Sequence, residues 1–135
     1  MTLSIIDFGR SIPNSFTQST NIPLVAIPSA NTLANFGLLT NTGGLVELHV
    51  SLGLQATAGS PTVLISLIRD VTEIANTQTT IFTVNALETL SFSFVDANAP
   101  AGYHSYTLQA SITSNFAFNR ASVVGPIVFS GTSLA

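Results

Sequence analysis

The stretch from Leu45 to Leu54 reads LVELHVSLGL, and it decides the fold class of this chain. An apolar residue stands at every second position from 46 to 54, and Glu, His, Ser and Gly occupy the positions between them. A period of two places one set of side chains in a core and the other set in water, as in a half-buried β-strand. A helix would mix the two sets, so this stretch predicts a strand.

The same alternation recurs further along the chain. It places Leu90, Phe92 and Phe94 on one face of residues 88–95, and it repeats over residues 103–113. Pro126 cannot donate to a β-ladder, so the last strand is expected to lie at a sheet edge or to carry a bulge.

Shorter apolar stretches, separated by loops rich in Gly, Pro and Asn, complete the pattern. They predict strands at residues 62–69, 81–84 and 121–129, with a tight turn at Asp70 and Val71. Eight to nine short strands without a helix indicate an all-β fold, and the favoured architecture is an antiparallel two-sheet sandwich of jelly-roll type.

The composition excludes several classes of function. Only 7% of the 135 residues are charged, the net charge is -3, and lysine and cysteine are absent. Nucleic acid is not expected as a partner, because phosphate binding needs clustered cations. Disulfides, thiolate metal sites and thiol nucleophiles are ruled out. Since Ser, Thr, Asn and Gln supply about a third of the chain, its surface is expected to be neutral and to associate readily with copies of itself.

Targeting signals are not evident either. Asp7 interrupts the apolar start of the chain, where a secretion signal needs an uninterrupted apolar core. No apolar run approaches the roughly 18 residues of a membrane span. We therefore expect no export by the standard route and no membrane partner.

Residues 1–21 differ from the rest and are interpreted as an N-terminal arm, followed by a jelly-roll domain over residues 22–135. The arm begins with an apolar patch and continues as a polar stretch that contains Pro13. Such a tethered strand folds back into its own sheet or completes the sheet of a neighbouring subunit by strand addition. The candidate self-association residues are Leu3, Ile5, Ile6 and Phe8.

Few residues are suited to catalysis or metal binding. His104 could pair with Asp96 across a loop and activate a serine, but no nucleophile elbow or phosphate loop is present. His49 falls on an outward strand position and is interpreted as a solvated histidine. We expect no catalytic residue and no cofactor, and hence no enzymatic activity.

Two further groups were considered as binding sites. Asp70 and Glu73 are close in sequence, but two carboxylates are too few for a calcium site, so no metal is expected. Phe116 and Phe118 are expected on one face of a strand, as core or interface residues or as an aromatic pair that contacts a ligand.

The last third of the chain contains four motifs with the same character of turn and strand residues: Phe94-Val95-Asp96, Ala99-Pro100-Ala101-Gly102, His104-Ser105-Tyr106-Thr107-Leu108 and Val123-Val124-Gly125-Pro126-Ile127-Val128-Phe129-Ser130-Gly131. In these motifs the chain resembles the exosporium protein C family of spore-forming bacilli. A stretch over residues 57–70, with a Gly-Ser-Pro turn and a closing Arg-Asp, is also similar to the family's hairpin.

This resemblance implies a structural component of the outer layer of the endospore. It implies synthesis in the mother cell without a signal peptide, and other spore-layer proteins as partners. The leading hypothesis is a subunit that self-assembles, as a layer or as a filament built by N-terminal strand addition. The alternative is a trimeric jelly-roll head that binds a sugar or a receptor, although no stalk-like repeat precedes the domain.

Overall fold

The computed structural model describes residues 3–135, and none of these residues lies in a helix. Nine strands account for most of this range. In chain order they are β1 (Ile5–Asn14), β2 (Ile22–Pro23), β3 (Asn31–Thr40), β4 (Leu45–Ala58), β5 (Thr62–Arg69), β6 (Thr72–Thr80), β7 (Leu87–Asp96), β8 (Gly102–Ile112) and β9 (Arg120–Leu134).

The strands form two antiparallel sheets. One sheet has the order β1-β9-β4-β7, with the short β2 also paired to β9, and the other has the order β3-β8-β5-β6. Consecutive strands therefore alternate between the sheets over much of the chain, which is the connectivity of a jelly roll. The predicted two-sheet jelly-roll sandwich is confirmed.

The stretch that decided the fold class lies at the centre of the five-stranded sheet. β4 pairs with β7 on one side and with β9 on the other. The alternate residues Val46, Leu48, Val50, Leu52 and Leu54 are between 0 and 3% exposed. At about 1.5–3 kcal/mol for each fully buried aliphatic side chain, this face of β4 stabilises the sandwich by roughly 10 kcal/mol before entropy is subtracted.

Aromatic rings join the two sheets in the core. The ring of Phe36, on β3, lies 4.7 Å from that of Phe129, on β9, and 5.9 Å from that of Tyr106, on β8, measured between centroids. Phe129 and Tyr106 are fully buried. These contacts fix the spacing of the sheets near the middle of the sandwich.

The last strand differs from its prediction in position and length. β9 continues to Leu134 and lies between β1 and β4, so the expected edge position is wrong. The expected bulge is present, because the pairing of β4 with β9 shifts between Leu52 and Leu54. At this point Gly125 has a φ of 95° and its carbonyl oxygen lies over Gly53, where a Cβ would overlap it.

The hairpin that follows β5 also differs in part. The tight turn is present, with Asp70 at a φ of 56°. The strand expected at residues 81–84 is wrong, because these residues belong to the loop between β6 and β7. The actual strand, Thr72–Thr80, is rich in threonine and has few apolar side chains. The apolar residues that indicated a strand therefore lie in the loop, where Ile81 is buried and Phe82 is 80% exposed.

Candidate functional site

The predicted self-association segment begins the outermost strand of the five-stranded sheet. β1 pairs antiparallel with β9, and Ser4 and Ala135 extend this pairing with backbone hydrogen bonds of 2.8 and 3.0 Å. The segment is thus part of the sandwich in a single subunit. Met1 and Thr2 of the arm lie outside the described residues, and exchange of the arm between subunits stays a prediction.

The side chains of this segment remain largely uncovered. Ile5 is 71% exposed, Phe8 56% and Leu3 47%. Ile6 is half-buried, at an irregularity in the pairing of β1 with β9. Three of the four predicted residues therefore present apolar surface to solvent, where they could contact another molecule.

The margin of the sandwich beside β1 is partly closed. Both carboxylate oxygens of Asp7 accept backbone N–H bonds of 2.9 Å, one from Phe8 and one from Leu39 on the facing strand β3. A Cβ on Gly9 would lie 2.5 Å from the ring of Phe36, so β1 and β3 approach closely here. Within the predicted self-association segment, only the residues before Asp7 lie outside this contact between β1 and β3.

The opposite margin is open in the described part of the chain. There β7 pairs only with β4, and β6 only with β5. A hydrogen bond of 2.7 Å from the Thr79 hydroxyl to the Glu88 carboxylate links the two strands. The pairing of β7 with β4 runs without a bulge from Val46 and Asp96 to Gln55 and Leu87.

The chemistry of β7 does not protect this edge. Natural edge strands usually carry outward charges, proline or bulges, which prevent pairing with other chains. The outward positions of β7 are instead Leu87, Thr89, Ser91, Ser93 and Val95, and Leu87 and Val95 are about half exposed, at 48% and 49%. The free edge of β7 is therefore a template for strand addition.

A shallow groove of about 380 Å³ crosses the outward face of the same sheet. It is lined by His49 and Ser51 of β4, by Ser91 and Ser93 of β7 and by Val128 of β9. The hydroxyl groups of Ser51 and Ser91 are hydrogen-bonded at 2.8 Å. His49 is exposed, as expected for a solvated strand position.

A buried ion pair lies at the end of the sandwich that carries the β5–β6 turn. Arg69 Nη1 donates to both carboxylate oxygens of Asp96, at 2.8 and 2.6 Å. The hydroxyl of Tyr106 donates to the same carboxylate at 3.0 Å. Asp96 is only 4% exposed. Burial, together with the charge of Asp96, raises the pKa of Tyr106, and the bond to Asp96 raises the pKa of Arg69.

His104 pairs with Asp70, and not with Asp96 as its place in the sequence also allowed. His104 Nδ1 lies 2.8 Å from Asp70 Oδ2, and Nε2 lies 2.6 Å from the carbonyl oxygen of Pro100. Both of these oxygens are acceptors, so the site favours the protonated imidazole, in which both ring nitrogens donate. The hydrogen bond to Asp70 raises the pKa of His104, to which the Pro100 carbonyl adds.

Asp70 is held by the same contacts from the other side. The Ser105 N–H donates to Asp70 Oδ1 at 3.0 Å. This bond, followed by that from His104, lowers the pKa of Asp70. The carboxylate therefore joins the turn to β8 and does not pair with Glu73. Within residues 3–135, no three His, Asp or Glu side chains are grouped closely enough to hold a metal ion.

The interpretation of Phe116 and Phe118 as neighbours on one strand face is also wrong. They lie in the turn before β9, where the N–H groups of Phe118 and Asn119 donate to the carbonyl of Asn115 at 3.2 and 2.9 Å. Phe116 packs on the core and Arg120 stacks on its ring at 4.6 Å, whereas Phe118 is 71% exposed.

Over residues 3–135 the structure contains no helix with the length and hydropathy that crossing a bilayer requires.

These features define a jelly-roll sandwich with one closed and one open margin. No protein-family model matches the chain, and no curated protein matches it in sequence. Among solved structures, it is similar to Eiger TNF from S. frugiperda, with 12% identity, a TM-score of 0.59 and coverage of 95% of this chain and 92% of the other. It also matches the carbohydrate-binding module CBM36 in complex with calcium and xylotriose, with 14% identity, a TM-score of 0.45 and coverage of 96% and 98%. At these identities the likeness concerns the fold alone.

Proposed function

We propose that this protein is a non-enzymatic structural subunit that self-assembles at the endospore surface, as a layer or as an appendage. The subunit contact joins residues Leu3 to Ile6 of one copy to the edge of β7 in the next. Other spore-layer proteins are its further partners.

The observation that carries the proposal is a difference between the two edge strands of the five-stranded sheet. At the β1 edge the apolar side chains of Leu3 and Ile5 are exposed, and at the other edge β7 is open for pairing. A contact between two different surfaces of identical subunits is heterologous, and it produces a ring or an open filament. A self-complementary surface would instead stop at a dimer.

The two surfaces also lie near the same end of the five-stranded sheet, close to the start of β4. Ile5 is in register with Leu134, which in turn pairs with Leu45 at the start of β4. On the other side, Val95 pairs with Glu47, close to the same end of β4. A copy placed beside another can therefore bring its Leu3–Ile6 segment next to Val95 and continue the sheet.

Truncation tests the role of the N-terminal segment. Removal of residues 1–20 should abolish the assemblies that the full chain forms, as seen by negative-stain electron microscopy. Circular dichroism and urea unfolding of the truncated protein establish whether the rest of the sandwich is folded. Persistence of the same assemblies would show that the segment is not the subunit contact.

A charge placed on the edge of β7 tests the other half of the contact without shortening the chain. V95K should prevent assembly, because an outward lysine on an edge strand opposes pairing. V71K is the matched control, since Val71 is 94% exposed in the β5–β6 turn and lies off this edge. If both variants assemble like the full chain, the edge of β7 is not used.

The placement at the spore surface rests on the resemblance in residues 57–70 and 94–131. It predicts that antibodies to the protein label the surface of intact spores, seen by immunogold microscopy. Labelling confined to the vegetative cell would contradict this placement.

The state of His104 supports the absence of enzymatic activity. A general base must have a nitrogen free to accept a proton from a substrate, and both ring nitrogens of His104 already face oxygen atoms of the protein, at 2.8 and 2.6 Å. Loss of a measured turnover in H104A, with the fold retained, would revive an enzymatic role.

A discrete jelly-roll head that binds a sugar or a receptor is the second candidate. The structural similarity to a TNF protein over 95% of this chain favours it at the level of the fold. Phe82 and Phe118, at 80% and 71% exposed in two loops, supply apolar surface for such a contact. Sedimentation separates the candidates, because a head gives one small oligomer and a structural subunit gives larger species.

A further inference from the structure

The outward face of the four-stranded sheet contains an exposed aromatic ring that none of the contacts above uses. Tyr103, at the start of β8, is 73% exposed. It pairs with Leu39 of β3, and the next outward pair along these strands is Gly37 with Ser105. A Cβ on Gly37 would overlap the Tyr103 hydroxyl and would lie 2.6 Å from Cε1. The ring therefore lies across the backbone of Gly37, with one side against the sheet.

We propose that Tyr103 is the stacking platform of a site that binds the sugar rings of neutral oligosaccharides. A ring held flat on a sheet offers its electron-rich outer side to solvent, and the weakly positive C–H groups of a sugar ring can pack on that side. The absence of a side chain at Gly37 is what permits this orientation. This inference does not depend on self-assembly.

Hydrogen-bonding groups that suit sugar hydroxyls surround the ring. On the same face, Asn35 Nδ2 donates to Ser105 Oγ at 3.3 Å, which leaves the amide oxygen and the second amide hydrogen for a ligand. Asp70, opposite Ser105 at the end of the sheet, is bonded to its N–H, and its carboxylate is 49% exposed. A small set of placed polar groups beside an apolar platform is the usual composition of a ligand site.

The charge of this face favours a neutral saccharide. The outward residues of β3, β8 and β5 carry no formal charge, and Glu73 lies across the sheet on β6. Asp70 is already paired with His104. Leu39, the strand partner of Tyr103, is 44% exposed and adds apolar surface beside the ring.

The tyrosines provide a direct optical test with the full chain. The sequence has two tyrosines and no tryptophan, and Tyr106 is fully buried. A saccharide that stacks on Tyr103 should therefore change the tyrosine fluorescence through this ring alone. The probes are hexasaccharides of β-1,4-linked glucose, xylose and N-acetylglucosamine, each titrated separately, and affinity electrophoresis in the matching soluble polysaccharide gives a second readout.

Four variants separate stacking from other effects. Y103A should weaken the binding of the best probe at least tenfold, whereas Y103F should retain it within about threefold. G37A keeps the tyrosine but forces its ring off the backbone, so it should also lose about tenfold. F16A is the matched control, because Phe16 is an equally exposed aromatic residue, at 74%, in the loop after β1, and it should bind like the unmodified protein.

Either of two results would overturn the inference: none of the three hexasaccharides binds the unmodified protein, or Y103A binds the best probe as well as F16A does. If Y103A then also loses self-association, the ring serves a contact between copies instead. Circular dichroism of each variant confirms that the sandwich is intact.

Discussion

Replacement of Arg69 by methionine tests the buried ion pair more sharply than any other single change. Methionine keeps most of the length and apolar volume of the arginine side chain but removes its charge and its N–H donors. Asp96 would then keep only the Tyr106 hydroxyl at 3.0 Å and the Asn98 N–H at 3.4 Å. The carboxylate would stay 4% exposed without a cation beside it.

The expected cost follows from this environment. Removal of one partner of a buried ion pair typically costs about 3–5 kcal/mol, because the remaining charge is left uncompensated. An exposed pair costs about 0–1 kcal/mol. Since Arg69 is 16% and Asp96 4% exposed, we expect R69M to lower the free energy of unfolding by about 3 kcal/mol or more. For a chain of this size the melting temperature should fall by about 10 °C.

The assay is urea unfolding at pH 7 of the unmodified protein, R69M, D96N and the double variant. Measurement at two protein concentrations identifies any contribution from dissociation of assemblies. D96N in the R69M background should recover part of the loss, because an amide has no charge to leave unpaired. A loss below 1 kcal/mol in R69M, with no recovery in the double variant, would refute the interpretation of this site as a buried charge pair.

Three further changes have defined outcomes. The His104–Asp70 pair should make stability depend on pH. Because the folded pKa of His104 is raised, the stabilisation by this pair is complete below about pH 6.5 and is lost as the pH rises through the folded value. The melting temperature of the unmodified protein should therefore fall more between pH 6 and 9 than that of H104N. As the pH falls through the lowered pKa of Asp70, the same pair should be lost in acid, and the melting temperature of D70N should fall less between pH 5 and 2 than that of the unmodified protein. G53A should lower the free energy of unfolding by roughly 2 kcal/mol or more, since its Cβ would overlap the Gly125 carbonyl, and an unchanged urea midpoint would contradict this; S51A, on the outward face of the same strand, is the control.

The alternation of apolar residues predicted much of the fold. It located β4, β7 and β8 and identified their buried faces, because a strand with one side in the core repeats its pattern every two residues. It failed where that condition does not hold. β6 lies at a sheet edge and is built largely from threonine, so no apolar repeat marked it, and the apolar residues of the following loop were mistaken for a strand.

The candidate site depends more on the tertiary structure. The apolar residues at the N-terminus are predicted to form a self-association segment; Leu3, Ile5 and Phe8 are exposed, and their role in association stays a prediction. The open edge of β7 was missed, because an edge depends on which strands pair. The sequence contained one indication of the ion pair. Asp96 continues the inward phase of Leu90, Phe92 and Phe94. A buried carboxylate at this position requires a cation, and the chain has three arginines that can supply one.

The sequence alone indicated an all-β sandwich without cysteine or lysine and with few charged residues. These properties follow from composition and from short-range periodicity. The fold, and not a local pattern, brings His104 to Asp70, Arg69 to Asp96, and the ring of Tyr103 across Gly37. The partners in these contacts are between 27 and 66 residues apart in the chain, and their meeting depends on strand order and register, which local patterns do not encode.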